Sequence, residues 1–227
     1  MLWTLAQPIG VALLFAVFLG GFAKVPTDGV ATPVFFLAGL TAWTFVASAI
    51  VRSTSSLVDH QRLVTRVYFP RIFLPMAAVA SAFVDGLLST FALLLVLVAS
   101  GHTPTVRWWL AVPIALGLTA VAFSVGLGLA SLNARYRDVR HAIPFGIQAL
   151  LFATPIAYPL SVVPEEIRPW FALNPVTPLV EAWRFVFTGQ GTLEPLHGVI
   201  AIVVTTGIAA SAFVVFGRIE RTIADVV

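Results

Sequence analysis

The chain has 227 residues, 59% of them hydrophobic and only 10% charged, with a formal net charge of +3 and no cysteine. A soluble domain carries about 25% charged residues, so this composition excludes a water-covered globule and predicts an all-α integral membrane protein. Disulfides and thiolate metal sites are excluded as well. The basic residues lie in short loops between apolar runs, which points to lipid headgroups and a partner protein, not to nucleic acid.

The first apolar run covers residues 2–22. A cleaved secretory signal would have a basic n-region and a shorter apolar stretch. No Lys or Arg precedes this run, which predicts a retained span. Pro8 falls in its first turns, where proline is tolerated. A turn-rich loop with Pro26, Asp28 and Gly29 leads to a second run at 33–51. Residues 52–71 form a polar segment with Arg52, Asp59, His60, Arg62, Arg66 and Arg71, in which Leu57, Leu63, Val64 and Val67 supply the apolar side of a short interfacial helix.

The third run, 72–100, is long enough to span with tilt and carries Asp85. Trp108 and Trp109 open the fourth run, 108–132, at the place expected for a headgroup belt. Within it Ala122, Gly126 and Ala130 recur every fourth residue, a small-residue face suited to close helix contact. The stretch after it starts as a basic loop with Arg135, Arg137 and Arg140. It becomes an apolar run at 143–163 interrupted by Pro144, Pro155 and Pro159. Proline at membrane depth frees a carbonyl that neighbouring helices or water must satisfy, so a broken fifth span is expected against protein or a polar path, not lipid.

Residues 164–191 are too polar to span and too aromatic for a linker. They read as short re-entrant helices at the outer interface. A sixth run at 196–216 and a short polar tail complete the chain. With six spans and both termini inside, nine of the thirteen basic residues fall on the inner side and four (Lys24, Arg107, Arg168, Arg184) outside, as the positive-inside rule requires. The chain is a single membrane domain. It is short for a transporter built of two repeats, which suggests work within an oligomer.

Sequence chemistry is sparse. There is no GxxxxGK[ST] phosphate loop, no HExxH and no GxSxG. His60, His102, His141 and His197 lie in or beside different loops without metal-ligand spacing. Asp85 is a carboxylate within a span, and Ser81 and Ser89 share its helix face; it reads as an interhelical hydrogen bond or, less simply, as part of an ion relay. Gln148 is a further polar residue within a run. Glu181 and Arg184, three apart, read as an exposed pair on an outer helix that adds little stability. Tyr158, Trp170, Phe171 and Trp183 gather in sequence near the outer face. They form either an interfacial belt or a stacking surface for sugar rings along a substrate path.

Four stretches carry a family resemblance: LWTLAQP (2–8), RVYFPRIFLP (66–75), LNARYRDVRHAIPFGIQALLFATPIAYP (132–159) and NPVTPLVEAWRFVFTG (174–189), with IADVV near the end. Together they resemble the permease subunit of ABC-2 type exporters of polysaccharides and polyol phosphates (O-antigen, capsule and teichoic acid). The resemblance implies a homodimer in a bacterial inner membrane, with two copies of a separate ATP-binding subunit that hold ATP and Mg; this chain binds no cofactor and no metal. It places an ATPase-coupling helix at 52–71, with Arg62, Arg66, Val67, Tyr68, Phe69 and Arg71 as contacts, and a second contact at Arg135, Arg137 and Asp138. It implies a lipid-linked glycan as cargo, moving near spans one and five, and an outer gate at 164–191.

The family usually begins with a basic amphipathic helix, whereas Met1 here abuts LWTLAQP, so a truncated or misassigned start is expected. Three other readings compete. A small-molecule or lipid ABC-2 exporter is disfavoured by RVYFPR and LNARYRDV. A membrane-embedded glycan enzyme lacks convergent acids, since Asp59 and Asp138 are isolated. The last is a structural membrane subunit.

Overall fold

The computed structural model describes residues 2–66, 69–101, 105–136, 138–191 and 194–226, and among these every regular element is helical. Helix α1 (Leu2–Phe15) runs on as a π-helical stretch (Ala16–Phe22). Helix α2 (Thr32–Asp59) follows, with Pro33 in its first turn, where the missing N–H costs nothing. Then come α3 (Gln61–Arg66), α4 (Phe73–Ala99), a 3-10 turn (Val106–Leu110) leading into α5 (Ala111–Arg135), and α6 (Val139–Ala153). A 3-10 turn (Leu160–Val162), α7 (Arg168–Ala172), α8 (Val176–Thr188) and α9 (Pro195–Val226) complete the order.

Among the described residues, four helical stretches are long and apolar enough to cross a membrane: Thr32–Asp59, Phe73–Ala99, Val106–Arg135 and Pro195–Glu220. Two shorter apolar ones are Gln7–Phe22 and Val139–Ala153. Helix α2 is the axis of the bundle. It packs against α1, α4, α5, α6 and α8, while α9 lies on the far side of α5. Lipid offers apolar side chains as good a solvent as protein does, so such contacts depend on close packing. The small-residue face of α5 supplies it: Ala122, Gly126 and Ala130 are all buried. A Cβ at Gly126 would stand 2.6 Å from both Cβ and Oγ of Ser53 on α2. Near the same place Asn133 Nδ2 donates to the buried carbonyl of Thr54 at 3.0 Å.

The polar segment expected at 52–71 is divided. Residues 52–59 continue α2 as helix, and only Gln61–Arg66 forms the separate short helix after a turn at His60. Two of the hydroxyls in this stretch are satisfied by the helix itself. Thr54 and Ser56 donate to Ile50 O and Ser53 O of their own helix, so they are buried without an unsatisfied proton.

Candidate functional site

Side-chain hydrogen bonds to backbone carbonyls gather at the break after α6. Pro155 disfavours the α conformation in the residue before it, and Thr154 is accordingly extended (φ −106, ψ 134). The chain then runs without helix through Pro159, and its carbonyls need partners. Arg184 on α8 supplies them: one terminal nitrogen donates to Pro155 O at 2.7 Å and the other to Ile156 O at 2.6 Å. The first also donates to Glu181 Oε1 at 2.9 Å. The guanidinium lies 4.0 Å from the Phe35 ring centroid, a cation–π contact. A Cβ at Gly39, one turn along α2, would come within 2.5 Å of its nitrogen.

The exposed Glu181–Arg184 pair expected from sequence is therefore corrected. The two side chains are 8% and 2% accessible, and Arg184 acts across the fold as well as along its helix. Local spacing showed only the i,i+3 partner; the carbonyl acceptors lie 28 and 29 residues away. A signal was present all the same. Val180, Trp183 and Phe187 flank Arg184 at helical spacing, so it sits on the apolar stripe of α8. Asn174, also missed, fastens the start of α8 to the break: its Nδ2 donates to Thr154 Oγ1 at 2.8 Å and its Oδ1 accepts from Val176 N at 3.1 Å.

The four aromatic candidates separate. Tyr158 donates its hydroxyl to Phe152 O at 2.9 Å and meets Phe171 edge-on, with ring centroids 6.5 Å apart. Trp170 on α7 is 71% accessible. Trp183 is a core residue, with Nε1 donating to Thr41 Oγ1 at 3.2 Å and its ring packed on Phe187. It borders an apolar cavity of about 270 Å³ between α2, α4, α5 and α8. Around the break, Arg168 donates to Val163 O and Ser161 O, and Ser161 donates to Asp28 of the loop before α2. These bonds draw the segment after α6 and the loop before α2 to one end of the bundle.

The opposite end gathers the basic segments. Arg62 is exposed on α3, and Arg66 closes that helix. Val67, Tyr68 and Arg137 lie outside the described residues. Phe69 is half-buried, and Arg71 donates to the Glu220 carbonyl of α9. Arg135 stacks over Tyr136, and Asp138 precedes α6. Arg140 lies 3.8 Å from Asp59, so the start of α6 stands beside the end of α2. The two basic segments, 70 residues apart in sequence, thus share one face.

Between the two ends, Asp85 on α4 pairs with Arg52 on α2 at 2.6 Å, and Arg52 also reaches Ser81 Oγ at 3.3 Å. The bond joins α2 to α4, and the partner of Asp85 is an arginine. Gln148 is exposed on α6.

A family model for the ABC-2 type transporter matches residues 1–188. The chain belongs to that family. Among curated proteins, this ABC-2 membrane domain is similar to an O-antigen export system permease protein RfbA from Klebsiella pneumoniae. The two are 26% identical over 228 residues, covering 99% of this chain and 86% of the relative. It is also similar to a protein of the same name from Myxococcus xanthus, 28% identical over 218 residues, covering 93% and 82%. The family resemblance seen in RVYFPR and LNARYRDV is thereby borne out, and the ABC-2 membrane domain is a multi-pass membrane protein whose relatives are transport permeases.

Proposed function

We propose that this chain is the permease subunit of an ATP-driven exporter that moves a lipid-linked polysaccharide out of the cytoplasm across a bacterial inner membrane. One observation carries the reading: permeases named for O-antigen export align with nearly the whole chain, through the basic segments and the broken run alike. In this reading the permease is a homodimer of six-span subunits, with spans near 2–22, 33–51, 72–100, 108–132, 143–163 and 196–216. Both termini are cytoplasmic. Two copies of a separate ATPase hold ATP and Mg and dock under α3 and the 135–138 loop.

The gathering of these basic segments on one face supports a docking site of that kind. ATP-driven closure of the ATPases moves α3, and packed helices pass the displacement on as rigid bodies. The α7–α8 region and the break held by Arg184 act as the outer gate, with Tyr158, Phe171 and Trp170 beside the glycan.

The test is co-purification from native membranes in gentle detergent, comparing wild type with Arg62→Glu/Arg66→Glu. Arg71 is spared because it braces α9. A phosphate-loop ATPase should accompany the wild type and be lost from the variant, with loss of surface glycan. A folded wild-type protein that brings down no ATPase overturns the proposal.

A further inference from the structure

Helix α2 is buried almost all round, and its one open stripe has the wrong chemistry for lipid. Between Val34 and Leu57 the residues that escape burial are Thr44, Ala47, Ser48, Val51, Arg52 and Ser55. Their spacing is that of a single helix face, which at ~1.5 Å per residue runs roughly 16 Å. Four of the six are polar. Arg52 at its lower end pairs with Asp85 of α4, and Ser81 of α4 accepts from the same guanidinium.

This pair is not shut inside the bundle: its side chains are 44% and 34% accessible. Asp85 lies twelve residues into α4, roughly 18 Å from its start at ~1.5 Å per residue, which is well inside the hydrocarbon depth. The open face of α9 shows what lipid contact looks like here, with Leu196, Val199, Ile202, Val203, Phe213 and Val214 exposed. Half-exposed charges at membrane depth face a bundle interior or a water-filled cavity, because hydrocarbon cannot solvate them.

We infer that the α2–α4 face bearing Ser48, Arg52, Ser55, Ser81 and Asp85 lines an aqueous vestibule in the cytoplasmic half of the permease, and that it receives the sugar hydroxyls of the cargo. The inference rests on the export reading above and assigns part of the path to α2 and α4. Its donor and acceptor balance selects the ligand. Arg52 donates and Asp85 accepts. The hydroxyls of Ser48 and Ser55 give their protons to Phe45 O and Arg52 O and keep lone pairs outward. A bare phosphate would meet the Asp85 carboxylate; a neutral sugar, which both donates and accepts, matches every group on the face.

The native chain has no cysteine, so single cysteines can be introduced without a background. Ser81→Cys stands on the vestibule face, and Leu87→Cys stands on an exposed apolar part of the same helix, roughly 9 Å further along it at ~1.5 Å per residue. In inside-out vesicles that also hold the partner ATPase, both are exposed to a charged, membrane-impermeant methanethiosulfonate. A thiolate forms only where water reaches the sulfur, so Ser81→Cys should react roughly tenfold or more faster than Leu87→Cys. Vesicles loaded with the lipid-linked glycan should slow Ser81→Cys labelling and leave Leu87→Cys unchanged.

Equal, slow labelling at both sites overturns the vestibule. Fast labelling that the glycan does not slow overturns the assignment of the ligand. Failure of the export reading shows separately, as unchanged surface glycan in cells that lack the protein.

Discussion

Arg184 decides the local structure of the break, and its energetics follow from burial. A charged side chain removed from water is tolerable when its hydrogen bonds and counter-charge are in place. Here the guanidinium serves Glu181 and two carbonyls that Pro155 takes out of any helical ladder. Replacing it with methionine keeps the volume and strands a buried carboxylate, a loss of roughly 3–5 kcal/mol for pairs of this kind. At this chain length that is a fall in apparent Tm of about 10 °C. Arg184→Met should show it in thermal unfolding of the detergent-purified protein. Adding Glu181→Gln should recover part of the loss, because the stranded charge is gone. Unchanged melting of Arg184→Met would mean that Pro155 O and Ile156 O find other donors.

At the scale of helices, what was legible in the sequence depended on whether the cause was local. The small-residue spacing of Ala122, Gly126 and Ala130 identified the face of α5 that meets α2, since close approach needs missing side-chain volume and the spacing displays it. Of the three prolines read as interruptions, Pro155 follows the end of α6, where its effect on Thr154 is covalent and immediate, while Pro144 lies within the helix. The continuation of α2 past Arg52 was not legible. Its charge is offset by Asp85, 33 residues on, and Thr54, Ser55 and Ser56 bond within the helix, while the window shows only polarity. The carbonyl clamp of Arg184 was hidden likewise, by partners brought near only through folding.

The α2–α5 contact can be tested by volume alone. Gly126→Val should abolish recovery of monodisperse protein in size-exclusion chromatography, because its Cβ would lie 2.6 Å from Ser53. Gly207→Val on α9, where a Cβ meets nothing within 4 Å, should elute as wild type. Equal behaviour of the two variants would remove close packing as the reason for glycine at 126.

For the whole molecule the open variable is how many times the chain crosses, and it turns on α6. Its fifteen residues span roughly 22 Å at ~1.5 Å per residue, short of the ~30 Å hydrocarbon core. The non-helical segment 154–159 must carry the chain the remaining distance. Such non-helical backbone is tolerated at membrane depth only where protein satisfies it, and the bonds from Arg184 and Asn174 meet that condition. If α6 and the break cross together, Glu166 lies on the side opposite His141. If only the four long helices crossed, both would stay on one side and α9 would have to start from the basic end, against its course here, where Glu220 near its far end meets Arg71. Single cysteines at Arg62, His141, Glu166 and Gln190, all exposed positions in a cysteine-free chain, distinguish the two. With an impermeant maleimide added to intact spheroplasts, Glu166→Cys and Gln190→Cys should be labelled at once, and Arg62→Cys and His141→Cys only after lysis. Labelling of Glu166→Cys only after lysis would rule out a crossing at α6 and with it the six-span arrangement. The charge distribution favours the crossing, because besides Arg52, which lies within α2, it leaves eight basic residues on the inner side and four outside. The packing favours it too: the start of α6 stands beside Asp59 at the basic end, whereas the break that follows α6 is bonded to α8 and to the loop before α2 at the other end.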